Sequence, residues 1–244
     1  YMEDELTHML PVLCSPSGVG VTGRGWASFC PTRDLVDSYE MTDGKTIYES
    51  SLYDMEHPWE NRDARLKKTF MLPGVDILRP DGSYTPYMPH PAYNNPERIN
   101  NEGGGITGYM YLKYNDLELE KVDASWTNFS LYRYAETLLN YAEAMNELGG
   151  PDYKVSDRLT AREALNQVRA AANMPPIEDT GEAFTKRLRN ERRIELAFED
   201  HRFWDICRWM DGDVVKDIYG IKITKRGSKY TYTRTKIQTR IWDR

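Results

Sequence analysis

Apolar residues recur every three to four positions through the second half of the chain, a spacing that predicts amphipathic helices. From Ser130, SLYRYAETLLNYAEAMNELGG places Tyr134, Leu138, Tyr141, Ala142 and Met145 on one stripe, and Gly149-Gly150 supply a stop. From Thr160, TAREALNQVRAAANMPP places Ala161, Leu165, Val168 and Ala172 on a second stripe, stopped by Pro175-Pro176. A third helix is expected from Thr180, running into NERRIELAFEDHRFWDICRW at 190–209. Earlier, residues 32–47 predict a short helix capped by Thr32, with Asp34 in its first turn and Leu35, Val36 and Tyr39 as its apolar side, followed by a tight turn at Asp43-Gly44. Alternation at 106–115 predicts a strand, with Tyr109 and Tyr111 on one side and Met110 and Leu112 on the other. Alternation on both sides of Gly227-Ser228 predicts a hairpin. Residues 80–105 carry Pro80, Pro86, Pro89, Pro91, Pro96 and Gly103-Gly104-Gly105 and read as a long loop. The result is a mainly α chain in three regions: loop-rich 1–130, with short helices and strands; helical 131–210; and a hairpin segment, 211–244.

The stretch 190–209 interleaves its charges with its bulky apolar residues, which therefore project nearly all round a helix. Some charges must then be carried inward, which is tolerable only where each carboxylate finds a guanidinium. Spacing allows Arg192 with Glu195, Arg202 with Asp205, and Asp205 with Arg208. These five residues read as a structural ion-pair network rather than a charged binding groove, so Arg192→Ala or Glu195→Ala should cost stability and leave ligand affinity unchanged. By the same reasoning Asp63, between Arg62 and Arg65, fixes its loop through charge-assisted hydrogen bonds. As a catalytic acid it would need a second positioned carboxylate, and none is evident.

Net charge is −6, from 32 Lys+Arg against 38 Asp+Glu, so the overall field does not favour nucleic acid. No apolar run has the length of a membrane span, and the acidic opening residues do not form a signal peptide. Cys207 reads as a small buried hydrophobe. Cys14 and Cys30 could be free thiols or a disulfide. The four histidines are scattered without metal-ligand spacing, so no metal or cofactor is expected. Gly18, Gly20, Gly23 and Gly25 match no phosphate-binding spacing and describe a surface loop carrying Trp26.

Seventeen tyrosines, with Asn94 and Asn95 in the Pro-rich loop, suit a hydroxyl-rich ligand that offers C–H faces and many hydrogen-bond partners. The candidate ligand-binding residues are Trp26, Trp59, Tyr84, Tyr87 and Tyr93, with Asn94 and Arg62 as polar partners; no residue is nominated as catalytic. The successive helices resemble a tetratricopeptide unit. About one and a half such units cannot bury their own faces, so partner helices are expected upstream or from another molecule.

An ordered set of motifs resembles the SusD/RagB family. It runs through Thr32-Arg33-Asp34-Leu35-Val36-Asp37-Ser38-Tyr39, Asp43-Gly44-Lys45, Asn61-Arg62-Asp63-Ala64-Arg65-Leu66, Gly108-Tyr109 with Lys113-Tyr114, Tyr132-Arg133-Tyr134-Ala135-Glu136, Tyr141-Ala142-Glu143-Ala144, and the run at 190–209. Ala64 stands where the family usually has Pro, and Asp200 where it has Gly. The resemblance implies a SusD-like fold with tetratricopeptide-like helices, a loop-rich binding region and a closing hairpin. It implies a non-enzymatic receptor at the outer face of the outer membrane, held there by a lipid on a cysteine that this sequence lacks. Such a receptor takes up oligosaccharides for a SusC-like TonB-dependent transporter. The family's length and its closing Pro-containing segment imply that this sequence is a truncation ending bare at Arg244. None of the matched motifs is a ligand motif, so the resemblance carries over no site residues. The competing functions are a helical scaffold for a protein partner and a glycoside hydrolase.

Overall fold

The computed structural model describes residues 7–241; the acidic opening residues and the bare end at Arg244 lie outside the described residues. Seven α-helices are described: α1 Leu10–Cys14, α2 Arg33–Ser38, α3 Arg65–Thr69, α4 Tyr134–Gly149, α5 Ala161–Ala171, α6 Gly181–Glu195 and α7 Arg202–Arg208. Six strands form three antiparallel pairs: β1 (Phe70–Met71) with β4 (Met110–Tyr111), β2 (Asp76–Leu78) with β3 (Tyr84–Pro86), and β5 (Asp217–Arg226) with β6 (Lys229–Thr239). The last pair is the hairpin expected around Gly227-Ser228, with Arg226 opposite Lys229.

Helix boundaries follow local chemistry. The Thr32 hydroxyl accepts from the Leu35 amide at the start of α2, and Gly150, at φ 90°, ends α4. At α5, Thr160 and Glu163 form a reciprocal capping box. Leu138, Leu139 and Ala142 of α4 pack on Ala161, Ala164 and Leu165 of α5 and on Phe184 and Leu188 of α6. The alanines let the helices approach closely. Tyr134, expected on the buried stripe, is exposed at the first turn.

The helix expected through 190–209 is broken. α6 stops at Glu195, and Phe198 and Asp200 take φ of 62° and 61° before α7 begins. The break directs the Phe198 ring edge-on against Phe70 and Tyr111, with centroids 5.9 and 4.5 Å apart. It also leaves α7 burying only Asp205 and Ile206, so Phe203 and Trp204 are exposed, as is Cys207, which was expected to be a small buried hydrophobe. Left-handed backbone is costly for a residue with a Cβ. Asp200→Gly is therefore expected to raise stability by roughly 0.5–1 kcal/mol, read as a higher denaturation midpoint with an unchanged m value.

The strand expected over 106–115 shrinks to Met110–Tyr111, and Tyr109, Met110 and Tyr111 are all buried, so alternation did not separate an inner from an outer face. A second core joins the regions: Val36, Tyr39 and Trp59 pack with Phe70 and Tyr109, Ile194 from the end of α6, and Ile221 and Tyr232 of the hairpin. Cys14 and Cys30 are free thiols.

Buried charges cross the same boundary. Arg169 on α5 bonds Glu191 at 2.8 Å and Glu40 at 2.9 Å. Arg65 on α3 bonds Glu191, Glu195 and Asp63, each at 2.6 Å. Arg133 bonds Glu195 and Glu199, and Lys113 also bonds Glu199. Of the pairs expected from spacing, Asp205–Arg208 forms at 2.9 Å. Arg192 instead reaches Asp205, thirteen residues on, at 2.8 Å; Glu195 takes Arg65 and Arg133; and Arg202 makes no ion pair among the described residues. Asp63 pairs with Arg65 but not with Arg62.

Burial pushes the Glu195 and Glu199 carboxyls up. Hydrogen bonds from Arg133 to both, and from Lys113 to Glu199, outweigh it and hold both below the usual carboxylate range. Carboxyls held low contribute stability at neutral pH and lose it as the pH falls through their folded values. Burial holds Glu40 and Asp37 above that range, so their contribution has the opposite sign and grows as they take up protons. Arg133→Ala is therefore expected to lower Tm most at neutral pH, with its gap from the parent closing below about pH 4. Thermal melts across that range give the check, and a gap independent of pH would contradict the assignment.

Candidate functional site

Trp26 stands on a loop fixed by its backbone. Its amide donates to Val12 O at 2.9 Å, and the next two amides donate to Ser15 O and Leu13 O. The preceding Gly25 passes so close to residues 15 and 16 that a Cβ there would lie 2.3 Å from Ser15 O and 2.5 Å from Pro16 O. Ser17 links this loop to the glycine triplet: its amide donates to Gly103 O at 2.7 Å and its hydroxyl to Gly25 O at 2.8 Å. Gly103, at φ 76°, accepts the contact because a Cβ would strike the Ser17 hydroxyl.

These contacts frame an open cavity of about 740 Å³ lined by Ser17, Arg24, Trp26, Asn101 and Glu102 together with Gly23, Gly25 and Gly103. The Trp26 side chain is not packed away; the residue is 61 % exposed. The Asn101 amide nitrogen is held by Pro96 O and Glu102 O. An indole face beside an amide, a guanidinium and a carboxylate can stack on the C–H face of a sugar ring while bonding its hydroxyls. Glu102 is the one carboxylate among the lining residues, whereas glycoside hydrolysis by the usual route needs two.

The Pro-rich loop beside the cavity is ordered by a buried knot. Glu97 pairs with Arg79, 3.0 Å from its Nη2, and accepts from the Met88 amide at 2.8 Å; Arg79 also donates to Gly18 O at 3.1 Å. Part of that loop is a hairpin strand, with Tyr84 opposite Leu78.

The candidates chosen from sequence do not form one arc. Trp26 lines the cavity just described. Tyr84 is exposed on β3, beside a second cavity of about 400 Å³ with Lys67, Asp76, Asn115 and Glu118. Tyr93 is half-buried, its hydroxyl paired with that of Tyr230 and the Lys225 ammonium 5.2 and 5.6 Å from the two ring centres. Asn94 is exposed and accepts from Arg98 at 2.9 Å.

Trp59, Arg62 and Tyr87 require correction, because the structure makes them core residues. Trp59 lies edge-on to Tyr109 and donates its indole N–H to Pro73 O at 2.9 Å. Arg62 spends its guanidinium on Val36 O, Tyr39 O and Pro58 O, and burial pulls its pKa down to about 10. Tyr87 is wholly buried with Val19, Met71, Ile77 and Met110, and burial pushes its hydroxyl well above the ordinary tyrosine value. Sequence reasoning missed Arg24, Asn101 and Glu102. The signal was the triplet Gly103-Gly104-Gly105, which marks close backbone approach as readily as flexibility.

The sequence model of the SusD family matches residues 7–241. Two SusD-like proteins of Formosa agariphila are 36 % identical over 95 residues and 38 % identical over 112, covering 34 % and 43 % of this chain but 17 % and 21 % of theirs. A solved SusD-like protein from Bacteroides fragilis superposes with a TM-score of 0.75 at 27 % identity, over 95 % of this chain and 46 % of its own. A SusD-like carbohydrate binding protein from the same species gives 0.73 at 31 % identity, over 90 % and 42 %. The chain thus spans less than half the length of the solved relatives it matches.

Proposed function

This chain belongs to the SusD family, and we propose that it captures oligosaccharides at the cell surface without cleaving them, for a SusC-like TonB-dependent transporter in the outer membrane. The observation that carries the reading is the exposed Trp26 ring on the wall of an open polar cavity with Arg24, Asn101 and Glu102. A SusD-like neighbour at 31 % identity is described as carbohydrate binding, which supports the ligand class. On this reading residues 1–130 present the ligand site, the tetratricopeptide-like helices of 131–210 brace it, and the hairpin of 211–244 closes the shared core. Tyr84, Tyr93 and Asn94 remain peripheral contacts for a longer glycan. No described helix is long and apolar enough to cross a membrane, and the attachment proposed is a lipid anchor.

The purified chain, run through gels containing different polysaccharides, should be retarded by at least one of them while releasing no reducing sugar from any. Release of reducing ends that disappears when a single carboxylate is mutated would overturn the receptor reading in favour of a hydrolase.

A further inference from the structure

A separate cavity of about 350 Å³ lies where the start of α2, the break after α6, the start of α7 and the hairpin meet. Its walls include Leu35, Arg193, Leu196, Arg202 and Ile218. It shares no lining residue with the Trp26 cavity. Four arginines line it, Arg192, Arg193, Arg202 and Arg240, together with His201, against two aspartates, Asp200 and Asp205. Asp205 is already committed, accepting from Arg192 at 2.8 and 2.9 Å and from Arg208 at 2.9 Å. Arg192 is satisfied by Asp205 and by Asn140 Oδ1. Among the described residues neither Arg193 nor Arg202 has an ion-pair partner; Asp200 is exposed and pairs with neither.

Asp34 and Asp37 attract Arg193, and Asp205 and Asp211 attract Arg202, but none is within ion-pair distance, so two neighbouring, partly enclosed cations are left under-compensated. Burial and then the charge of Arg202 pull Arg193 down to about 10, and burial lowers Arg202 as well. By contrast, the enclosed guanidiniums of Arg169 and Arg62 meet carboxylates or backbone carbonyls. A guanidinium fork matches a carboxylate in shape and charge. Cavities of this size, mostly apolar with a few converging polar groups, suit small molecules.

We propose that this cavity binds a small organic carboxylate, its anionic group received by Arg193 and Arg202 and its carbon skeleton lying against Leu35, Leu196 and Ile218. The carboxylate could belong to a free apolar acid or to an acidic sugar, and two pairs of probes separate these sources: benzoate with benzamide, and glucuronate with glucose.

Calorimetric titration of the full chain should show saturable binding of one carboxylate and not of its neutral counterpart. Arg193→Gln and Arg202→Gln should each weaken that binding about tenfold or more. Because the two guanidiniums repel, Arg202→Gln should hold or raise Tm in buffer free of carboxylates and lose that advantage when the bound acid is present. Arg202 is a half-exposed residue of a helix start, so this variant keeps the test open even if Arg193→Gln fails to fold. The assignment is overturned if neither acid binds saturably, if a neutral analogue binds as well as its acid, or if both variants bind like the parent. A fall in the ligand-free Tm of Arg202→Gln would make Arg202 a structural partner and would equally overturn it.

Discussion

Replacing Arg169 by alanine is expected to cost roughly 3–5 kcal/mol of unfolding free energy, the scale for removing one partner from a buried ion pair. Arg169 is 1 % exposed. Its Nη1 meets Glu191 at 2.8 Å, its Nη2 meets Glu40 at 2.9 Å, and its Nε donates to Pro175 O at 2.7 Å. Both carboxylates are enclosed, and burial already holds Glu40 above the usual carboxylate range although Arg169 and Arg187 attract it. After the substitution, among the described residues Glu40 would keep only Arg187 and Glu191 only Arg65, and the Pro175 carbonyl would lose its donor. Lysine at 169 is expected to recover only part of the loss, since one ammonium cannot span three acceptors in the plane of a guanidinium. Lys186→Ala is the reference: its pair with Glu182 is exposed on both sides, where solvent screening leaves little stability to lose. Urea denaturation of the three variants should show a large fall in midpoint for Arg169→Ala, a smaller one for Arg169→Lys and almost none for Lys186→Ala. If the first moved no further than the last, the network would be ornamental.

The location of that network explains what was legible in the sequence. Thr32, Gly150 and Gly227-Ser228 act on residues within a few positions of themselves, and each ends or turns an element where spacing predicts. Ion pairs were legible only where they too are local. Asp205–Arg208 is three apart and forms, whereas Glu195 takes a guanidinium from Arg133, 62 residues away, and another from Arg65, 130 away. Arg192 prefers Asp205 to Glu195 because the break at Phe198 and Asp200 brings α7 alongside the end of α6, and nothing in the interleaved pattern of 190–209 marks that break.

The aromatic candidates divide between core and surface for the same reason. Trp59 and Tyr87 stand among Pro and polar residues that look like surface, yet the second core closes over Trp59, and Val19, Met71 and Met110 close over Tyr87, from residues far along the chain. Trp26 sits in an equally loop-like stretch. Its neighbour Gly25 runs backbone against backbone with residues 15, 16 and 103, and the indole stays exposed. Composition alone could not separate these cases, because burial here is decided by which distant segment returns.

That contrast makes Trp26→Ala the sharpest test of the binding site. A Trp at the centre of a binding surface is typically worth about 2 kcal/mol or more, some thirtyfold in affinity, so retardation on a bound glycan should largely vanish. The fold should not notice: the ring is 61 % exposed, its loop is held by backbone hydrogen bonds, and such a substitution shifts stability by about 0.5 kcal/mol or less. Trp59→Ala is the control of opposite kind. Emptying a core position packed against Tyr109 and Tyr232, and stripping Pro73 O of its donor, should cost roughly 3–5 kcal/mol. Any glycan binding it loses should therefore track unfolding, and Trp59→Phe should restore part of both together. Gel retardation and melting curves on the same preparations separate the cases: Trp26→Ala is expected to bind weakly while melting like the parent. A Trp26→Ala chain that is retarded like the parent would remove the Trp26 cavity from the ligand site, leaving the exposed Tyr84 hairpin and the Tyr93–Tyr230 pair as the aromatic surfaces to test next.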